Sequence, residues 1–136
     1  MKNIAEYIKV GRIKRAVASA AHIRCADIYI SHNYLRHINN NHSTELGKLG
    51  LSALDFVKLI CANFNEIRKG TGNSYLLVIL NKKLAFVAAI DLNYSIKKGF
   101  WEAKTAEPRR VTAVLKKALI WEGAKHPNRE NEHRTN

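Results

Sequence analysis

The sequence is poor in cysteine, proline and acidic residues: its 136 residues include two Cys, two Pro and 11 Asp plus Glu. Cys25 and Cys61 form no CxxC pair, which argues against a zinc site. We predict two buried free thiols, with a single disulfide as the alternative. No stretch approaches the roughly 18 uninterrupted apolar residues of a membrane span, and the start lacks the apolar core of a signal peptide. We therefore expect a soluble protein.

Basic residues are abundant by contrast: 23 Lys plus Arg give a formal net charge of +12 and a pI near 10.0. Such an imbalance predicts a polyanionic partner, most simply nucleic acid, although an acidic protein or an anionic membrane would attract the same charge. The hydrophobic content of 46% fits one domain, which we place at residues 1–122. Residues 123–136 are polar and predict a loosely ordered tail.

The first part of the chain has helical spacing of its apolar residues. Residues 1–24 mix apolar and basic side chains, which indicates a basic amphipathic helix interrupted near Gly11. Residues 27–30 are a short β-prone run. Ser31 then offers an N-cap for a helix that we expect to end at the asparagines of residues 39–41.

After a polar loop at residues 43–47, a second helix is expected. Apolar residues recur every three or four positions over residues 51–67, and Ser52 with Asp55 forms a capping-box pattern. Gly70 should terminate this helix.

The remainder predicts an antiparallel sheet. The predicted elements are strands at residues 74–80 and 84–92 joined by a tight turn at 81–83, a strand at 100–106 that Pro108 ends, a helix at 111–117 and a strand at 118–122. Hairpin-joined strands do not supply the crossovers of a parallel sheet. The fold class is therefore α+β, with N-terminal helices packed on a curved antiparallel β-sheet.

Three histidines, His32, His37 and His42, lie within eleven residues, and imidazole is well suited to proton transfer near neutral pH. Their spacing of five does not suit a metal pair on a helix, so no metal is predicted. Each could be an ordinary surface histidine. His37, between Leu35 and Ile38, is the strongest candidate for a role.

Lys104 and Thr105 form a second cluster near a strand end, followed by Arg109 and Arg110. Cations there could stabilise the charge of a pentavalent phosphate. In an ideal strand Lys104 and Thr105 point to opposite faces, so both serve one site only where the strand ends or bends. The alternative is that Lys104 pairs with its same-face neighbour Glu102 or with a cross-strand acid.

Together the two clusters supply what RNA cleavage without a metal or cofactor needs: a base, an acid and cations for the phosphate. Other catalytic arrangements are absent from the sequence. Neither cysteine lies in a nucleophile motif, there is no glycine-rich phosphate loop, and the acids are too scattered for a two-metal site.

The runs at residues 28–31, 34–38 with His42, and 101–106 resemble the barnase, EndoU, colicin E5/D and RelE-like (BECR) ribonucleases, especially the phage-type and contact-dependent growth inhibition toxin branches. The resemblance implies leading helices and a curved sheet that holds RNA. It implies that His37 is general base or acid, His42 its partner, Lys104 a phosphate clamp and Thr105 an orienting hydroxyl. The residues predicted to contact RNA are Tyr94, Lys98, Trp101, Arg109 and Arg110.

The toxin branch also implies a biological setting. Its members are commonly the C-terminal piece of a larger secreted bacterial protein, act on transfer RNA in the target cell's cytoplasm, and are neutralised by a cognate immunity protein, here expected to be acidic. Two alternatives stay open: a basic module that binds nucleic acid without catalysis, and a domain that uses its N-terminal segment to bind an acidic protein or a membrane.

Overall fold

The computed structural model describes residues 6–81 and 86–123. In this part of the chain the elements are, in order, β1 (Tyr7–Ile13), α1 (Arg15–Ala21), β2 (Ala26–Ser31), α2 (His32–Leu49), α3 (Ala53–Asn63), β3 (Glu66–Lys69), β4 (Tyr75–Asn81), β5 (Phe86–Ser95), β6 (Phe100–Pro108), α4 (Val111–Leu115) and β7 (Leu119–Glu122). The α+β class is confirmed. Most of the turn at 81–83 and of the tail from 123 lies outside the described residues.

The strands form one sheet in the order β1-β2-β6-β5-β4-β3-β7. The predicted hairpin of β4 and β5 is confirmed, because they pair antiparallel from Tyr75 opposite Leu92 to Asn81 opposite Phe86. One pair departs from the antiparallel prediction: β2 and β6 run parallel, with Ile28 opposite Trp101. The chain between these two strands passes through α2 and α3, which supply the crossover that a parallel pair requires.

Helices α1, α2 and α3 cover one face of the sheet and bury the main core between them. Phe56 and Ile60 of α3 and Ile28 of β2 are fully buried there. Helix α3 contacts both β1 and β4, and α1 contacts β7 at the far edge of the sheet. The sheet therefore bends around its helices. No helix in the described segments combines the length and apolar character that a membrane crossing requires.

The opposite face carries a smaller core, which α4 covers with Val114. Beside it the buried Arg68 forms a two-pronged ion pair with Glu66, with Nε to Oε1 at 2.8 Å, and donates through Nη1 to the Lys117 carbonyl oxygen. The bond to Lys117 ties β3 to the segment after α4. The rest of this face, on β1, β2, β6 and part of β5, is not covered by any helix in the described chain, and we call it the open face.

The predicted helix over residues 1–24 is wrong for residues 7–13, which form strand β1; residues 1–5 lie outside the described part. The burial of β1 recurs every third residue, at Tyr7, Val10 and Ile13, which imitates helical spacing. A β-bulge between Lys9 and Gly11 shifts the alternation of sides and brings Val10 and Ile13 to the helix side, whereas Tyr7 is buried on the opposite face.

The first helical segment of α2 breaks at His42, directly after the predicted end at residues 39–41, but the predicted loop at 43–47 is wrong, because a second helical segment continues to Leu49. The buried side chains of Ile38 and Leu46 hold both halves of α2 to the core, and a kink with non-helical backbone angles lies at His42. The predicted N-cap is confirmed: the Ser31 hydroxyl accepts a hydrogen bond from the Tyr34 N–H.

Helix α3 begins as predicted, because the Ser52 hydroxyl accepts from the Asp55 N–H, but it ends at Asn63 instead of near Gly70. The side chain of Asn65 then bonds the backbone of Leu80, accepting from its N–H and donating to its carbonyl oxygen. These two hydrogen bonds hold the chain where β3 starts. Ile67, which the sequence pattern included in the helix, is instead a buried residue of this strand.

Candidate functional site

Strand β6 has a β-bulge at Lys104. Glu102 pairs with Asn93 and Thr105 pairs with Asp91, so three steps along β6 oppose two steps along β5. The bulge therefore returns Thr105 to the face that Glu102 occupies. Lys104 also reaches this face, since its Nζ lies 3.4 Å from Glu102 Oε2. We predicted that Lys104 and Thr105 could serve one site only where the strand ends or bends, and the bulge provides this bend.

Glu102 lies at the centre of a polar group on the open face. It is buried, at 7% exposure, and receives the Tyr7 hydroxyl at 3.4 Å and the ammonium groups of Lys98 and Lys104 at 3.5 and 3.4 Å. The ion pair of Lys104 with Glu102, which the sequence analysis gave as the alternative to a phosphate-binding role, is thus present. We call Tyr7, Lys98, Glu102 and Lys104 the Glu102 group.

Lys98 is held firmly in its charged form. Its Nζ donates to the Tyr7 hydroxyl at 2.8 Å, and this bond, together with the nearby Glu102 carboxylate, raises the pKa of Lys98. Two ammonium groups against one carboxylate leave the Glu102 group with a net positive charge. Such a group attracts an anion to this part of the sheet.

Aromatic rings lie next to these cations. Phe100 contacts Tyr29 and Tyr7, with ring centres 4.6 and 5.3 Å apart, and the Tyr29 ring is partly exposed. Lys9, paired with Tyr29 in the sheet, adds an exposed ammonium beside them. A partly exposed aromatic ring among cations suits an unpaired nucleic acid strand, whose bases stack while its phosphates bind the charges.

Helix α2 runs along the second half of β6 and brings Tyr34 and His42 into contact with it. The Tyr34 ring centre lies 5.1 Å from Lys104 Nζ, and His42 Nε2 lies 3.1 Å from Glu107 Oε2. His42 also bonds Glu45 through Nδ1 at 2.8 Å. Both ring nitrogens of His42 are therefore engaged at the helix kink.

His37 lies on the exposed side of α2, where its Nε2 and Asn41 Nδ2 are 3.0 Å apart. Within the described chain no hydrogen bond or ion pair joins it to Lys104. It is three residues from Tyr34, however, and residues at this spacing are neighbours on a helix surface. Since Tyr34 contacts the Lys104 ammonium, His37 lies one helical turn from the edge of the Glu102 group.

Asp91 and Arg109 extend the charged surface. Arg109 lies 3.4 Å from both Asp91 and Glu107. Burial raises the pKa of Asp91, and the attraction of Arg109 offsets only part of this effect. Arg110, predicted with Arg109 to contact RNA, is exposed at the start of α4.

The predicted RNA contacts do not share one surface. Lys98 belongs to the Glu102 group, whereas Tyr94 and Trp101 lie on the helix side of the sheet, in the main core cluster. Trp101 is 2% exposed, and its indole N–H donates to the Arg24 carbonyl oxygen at 2.9 Å. Tyr94 packs against Trp101 and beneath the Arg24 guanidinium.

Sequence reasoning missed several members of this surface. The sequence pattern indicates Glu102 only as a partner for Lys104, and it predicts a helix at Tyr7. Asp91 interrupts an otherwise apolar predicted strand, and an acidic residue in such a strand could have indicated a functional position. Arg24 gave no signal, because only folding brings it to Tyr94.

Both cysteines are free, as expected, but only Cys61 is buried; Cys25 is exposed, which corrects the prediction of two buried thiols. Among residues 6–81 and 86–123, no three His, Cys, Asp or Glu side chains are grouped so that they could hold a metal ion. Comparison of the chain with protein-family models, curated proteins and solved structures finds no match.

Proposed function

We propose that this protein is an endoribonuclease that cleaves RNA without a metal, and that the scissile phosphate binds at the Glu102 group. The observation that carries the proposal is the bulge of β6, which gathers Glu102, Lys104 and Thr105 on one face. The net charge of +12 and the partly exposed Tyr29 ring on the same face favour an RNA strand as the ligand.

The reaction is a transphosphorylation. The RNA 2′-hydroxyl loses its proton to a base and attacks phosphorus, the bond to the 5′-oxygen breaks, and that oxygen takes a proton from an acid. The products are a 2′,3′-cyclic phosphate and a 5′-hydroxyl. Lys98 and Lys104 stabilise the negative charge that develops on the phosphate, and the Thr105 hydroxyl orients it.

Three groups near the bound phosphate can transfer protons: Glu102, His37 and His42. Glu102 is nearest to the two lysines. His37 is exposed and one turn from Tyr34, so it is accessible to an RNA backbone that crosses Lys104. His42 is held by two carboxylates, which orient its ring.

The test is cleavage of purified transfer RNA in the presence of a chelator, with the product ends mapped. We expect His37→Ala and Lys104→Ala to lower the rate by about 10²-fold or more. His32→Ala and Lys48→Ala are matched controls at exposed sites and should cleave at the parent rate. Parent-rate cleavage by both His37→Ala and Lys104→Ala would overturn the site assignment.

A second function is non-catalytic binding of nucleic acid. It is favoured by one observation: both lysines form ion pairs with Glu102. A carboxylate in such pairs can hold the lysines in position for RNA binding without taking part in proton transfer. In that case RNA incubated with excess protein would shift in a gel, lose affinity steeply with salt, and be recovered at full length.

The same proposal includes a toxin setting, as in the ribonucleases that the sequence resembles. An immunity protein would then cover the open face, and the cations there call for an acidic partner. Co-expression of an acidic protein that is encoded beside this one should relieve the toxicity of this protein in bacteria. Parent toxicity in its presence would count against that partner.

A further inference from the structure

A cleft of about 540 Å³ opens at one end of the sheet, apart from the Glu102 group. Its size falls within the range of small-molecule sites. It lies between the α1–β2 loop, the β3–β4 turn and strands β4, β5 and β6. The residues that the inference uses are Arg24, Asn73, Tyr75, Asn93, Tyr94 and Trp101.

The walls of the cleft are aromatic and fixed in place. Tyr94 and Tyr75 meet Trp101 edge to face, with ring centres 5.2 and 5.9 Å apart. The hydrogen bond from the Trp101 indole to the Arg24 carbonyl oxygen anchors the loop that closes one side. Rigid aromatic walls suit a flat ring, which stacks on them or meets their edges.

The polar groups of the cleft suit the edge of a nucleobase. The side-chain amide of Asn73 carries donors and an acceptor, the combination that proteins use to bind base edges. The Arg24 guanidinium lies 5.0 Å from the centre of the Tyr94 ring, so it can stack on a base or bind its phosphate.

The cleft and the Glu102 group use the same two strands from opposite faces, because Tyr94 and Trp101 face the helices and Glu102 faces the open side. Asn93 pairs with Glu102, and Tyr94 pairs with Trp101, in the ladder of β5 and β6. An RNA that reaches both places therefore passes around the end of these strands. We propose that the cleft binds one unpaired base of the RNA and so sets a base preference. This inference rests on the proposed function.

Tryptophan fluorescence tests the cleft directly. The chain has two tryptophans, so Trp121→Phe leaves Trp101 as the sole reporter. The four ribonucleoside 5′-monophosphates are titrated into this background, with ribose 5-phosphate as the ligand without a base. We expect saturable changes that differ among the bases. Arg24→Ala should weaken binding by about 10-fold or more. Arg36→Ala removes an equal charge from the exposed side of α2 and should leave binding unchanged.

The outcomes separate the cleft from the proposed cleavage. No change of Trp101 fluorescence with any nucleotide, in a protein that still cleaves transfer RNA, would overturn the cleft and leave the nuclease standing. An equal response to ribose 5-phosphate would also overturn it, because the site would then recognise phosphate alone. Base-selective binding by a protein that leaves RNA intact would support the cleft and refute the cleavage.

Discussion

The Lys104 ammonium lies between two partners, 3.4 Å from the Glu102 carboxylate and 5.1 Å from the centre of the Tyr34 ring. A phosphate that binds Lys104 must therefore compete with Glu102 or bind beside it. Lys98 is under the same constraint, since it lies 3.5 Å from the other oxygen of Glu102. Under the proposed function, the carboxylate would limit how strongly the open face holds RNA.

Replacing Glu102 by Gln should separate RNA binding from cleavage. The amide keeps the shape of the side chain but releases both lysines, so affinity for RNA should rise severalfold at low salt. An amide does not accept the 2′ proton, so the cleavage rate should fall by about 10²-fold. Filter binding and a cleavage assay measure the two effects. Glu6→Gln, at an exposed position before β1, is the control for charge. Unchanged cleavage in Glu102→Gln would exclude Glu102 as the base.

Two glycines should respond in opposite ways to replacement by alanine. A Cβ at Gly11 would lie 2.6 Å from the Cβ of Cys61 in α3, so the strand and helix would have to separate. We expect a loss of about 1–3 kcal/mol in the free energy of unfolding. Gly47 lies in α2 with nothing within 4 Å of such a Cβ, and Gly47→Ala should add about 0.5–1 kcal/mol.

Urea denaturation measures both changes. Cys61→Ala should not rescue Gly11→Ala, because the alanine retains the Cβ that clashes. Equal stability of Gly11→Ala and the parent protein would show that β1 does not pack closely against α3.

Much of the sheet was predictable from sequence because its signals are local. Three local signals each predict an element that forms: the apolar run at residues 74–80, the strand end at Pro108 and the helix N-cap at Ser31. The errors arise where distant contacts act. The bulge in β1 and the burial of Tyr7 on the opposite face together imitate a helical period, and the continuation of α2 past residues 39–41 depends on burying Leu46.

The candidate site was only partly predictable for the same reason. Lys104 and Thr105 were identified, but the bulge that brings them to one face is a property of the pairing with β5. The involvement of Tyr7 depends on long-range pairing, since it reaches Glu102 across 95 positions of sequence. The residues near Tyr7 in the sequence do not predict such a contact.

The two thiols should differ widely in reactivity. Cys25 is exposed, whereas burial raises the pKa of Cys61 to about 12. Because the thiolate is the reacting species, a thiol reagent at pH 8 should label one cysteine quickly and the second only after unfolding. Cys25→Ser should remove the fast phase, and Cys61→Ser should preserve it. Two equal fast phases in the folded parent protein would contradict the burial of Cys61 against β1.

Asp91 should lower stability as pH rises. Burial raises its pKa above the ordinary 3.8, despite the opposing attraction of Arg109. A carboxyl group with a higher pKa in the folded state binds protons more tightly there, so the free energy of unfolding decreases as pH increases from 3.8 through the raised value. Asp91→Asn carries no such charge, and its stability relative to the parent should increase over that interval.

Asp27 provides a control of opposite sign. The hydrogen bond from Arg12, at 2.7 Å, lowers the pKa of Asp27, so ionisation stabilises the fold as pH rises from the lowered value through 3.8. Asp27→Asn should therefore lose stability relative to the parent over that interval, by a small amount because the pair is largely exposed. Urea denaturation at closely spaced pH values compares the variants. If Asp91→Asn instead lost stability as pH rose, the attraction of Arg109 would outweigh burial, and Asp91 would serve as a fixed counter-ion on the open face.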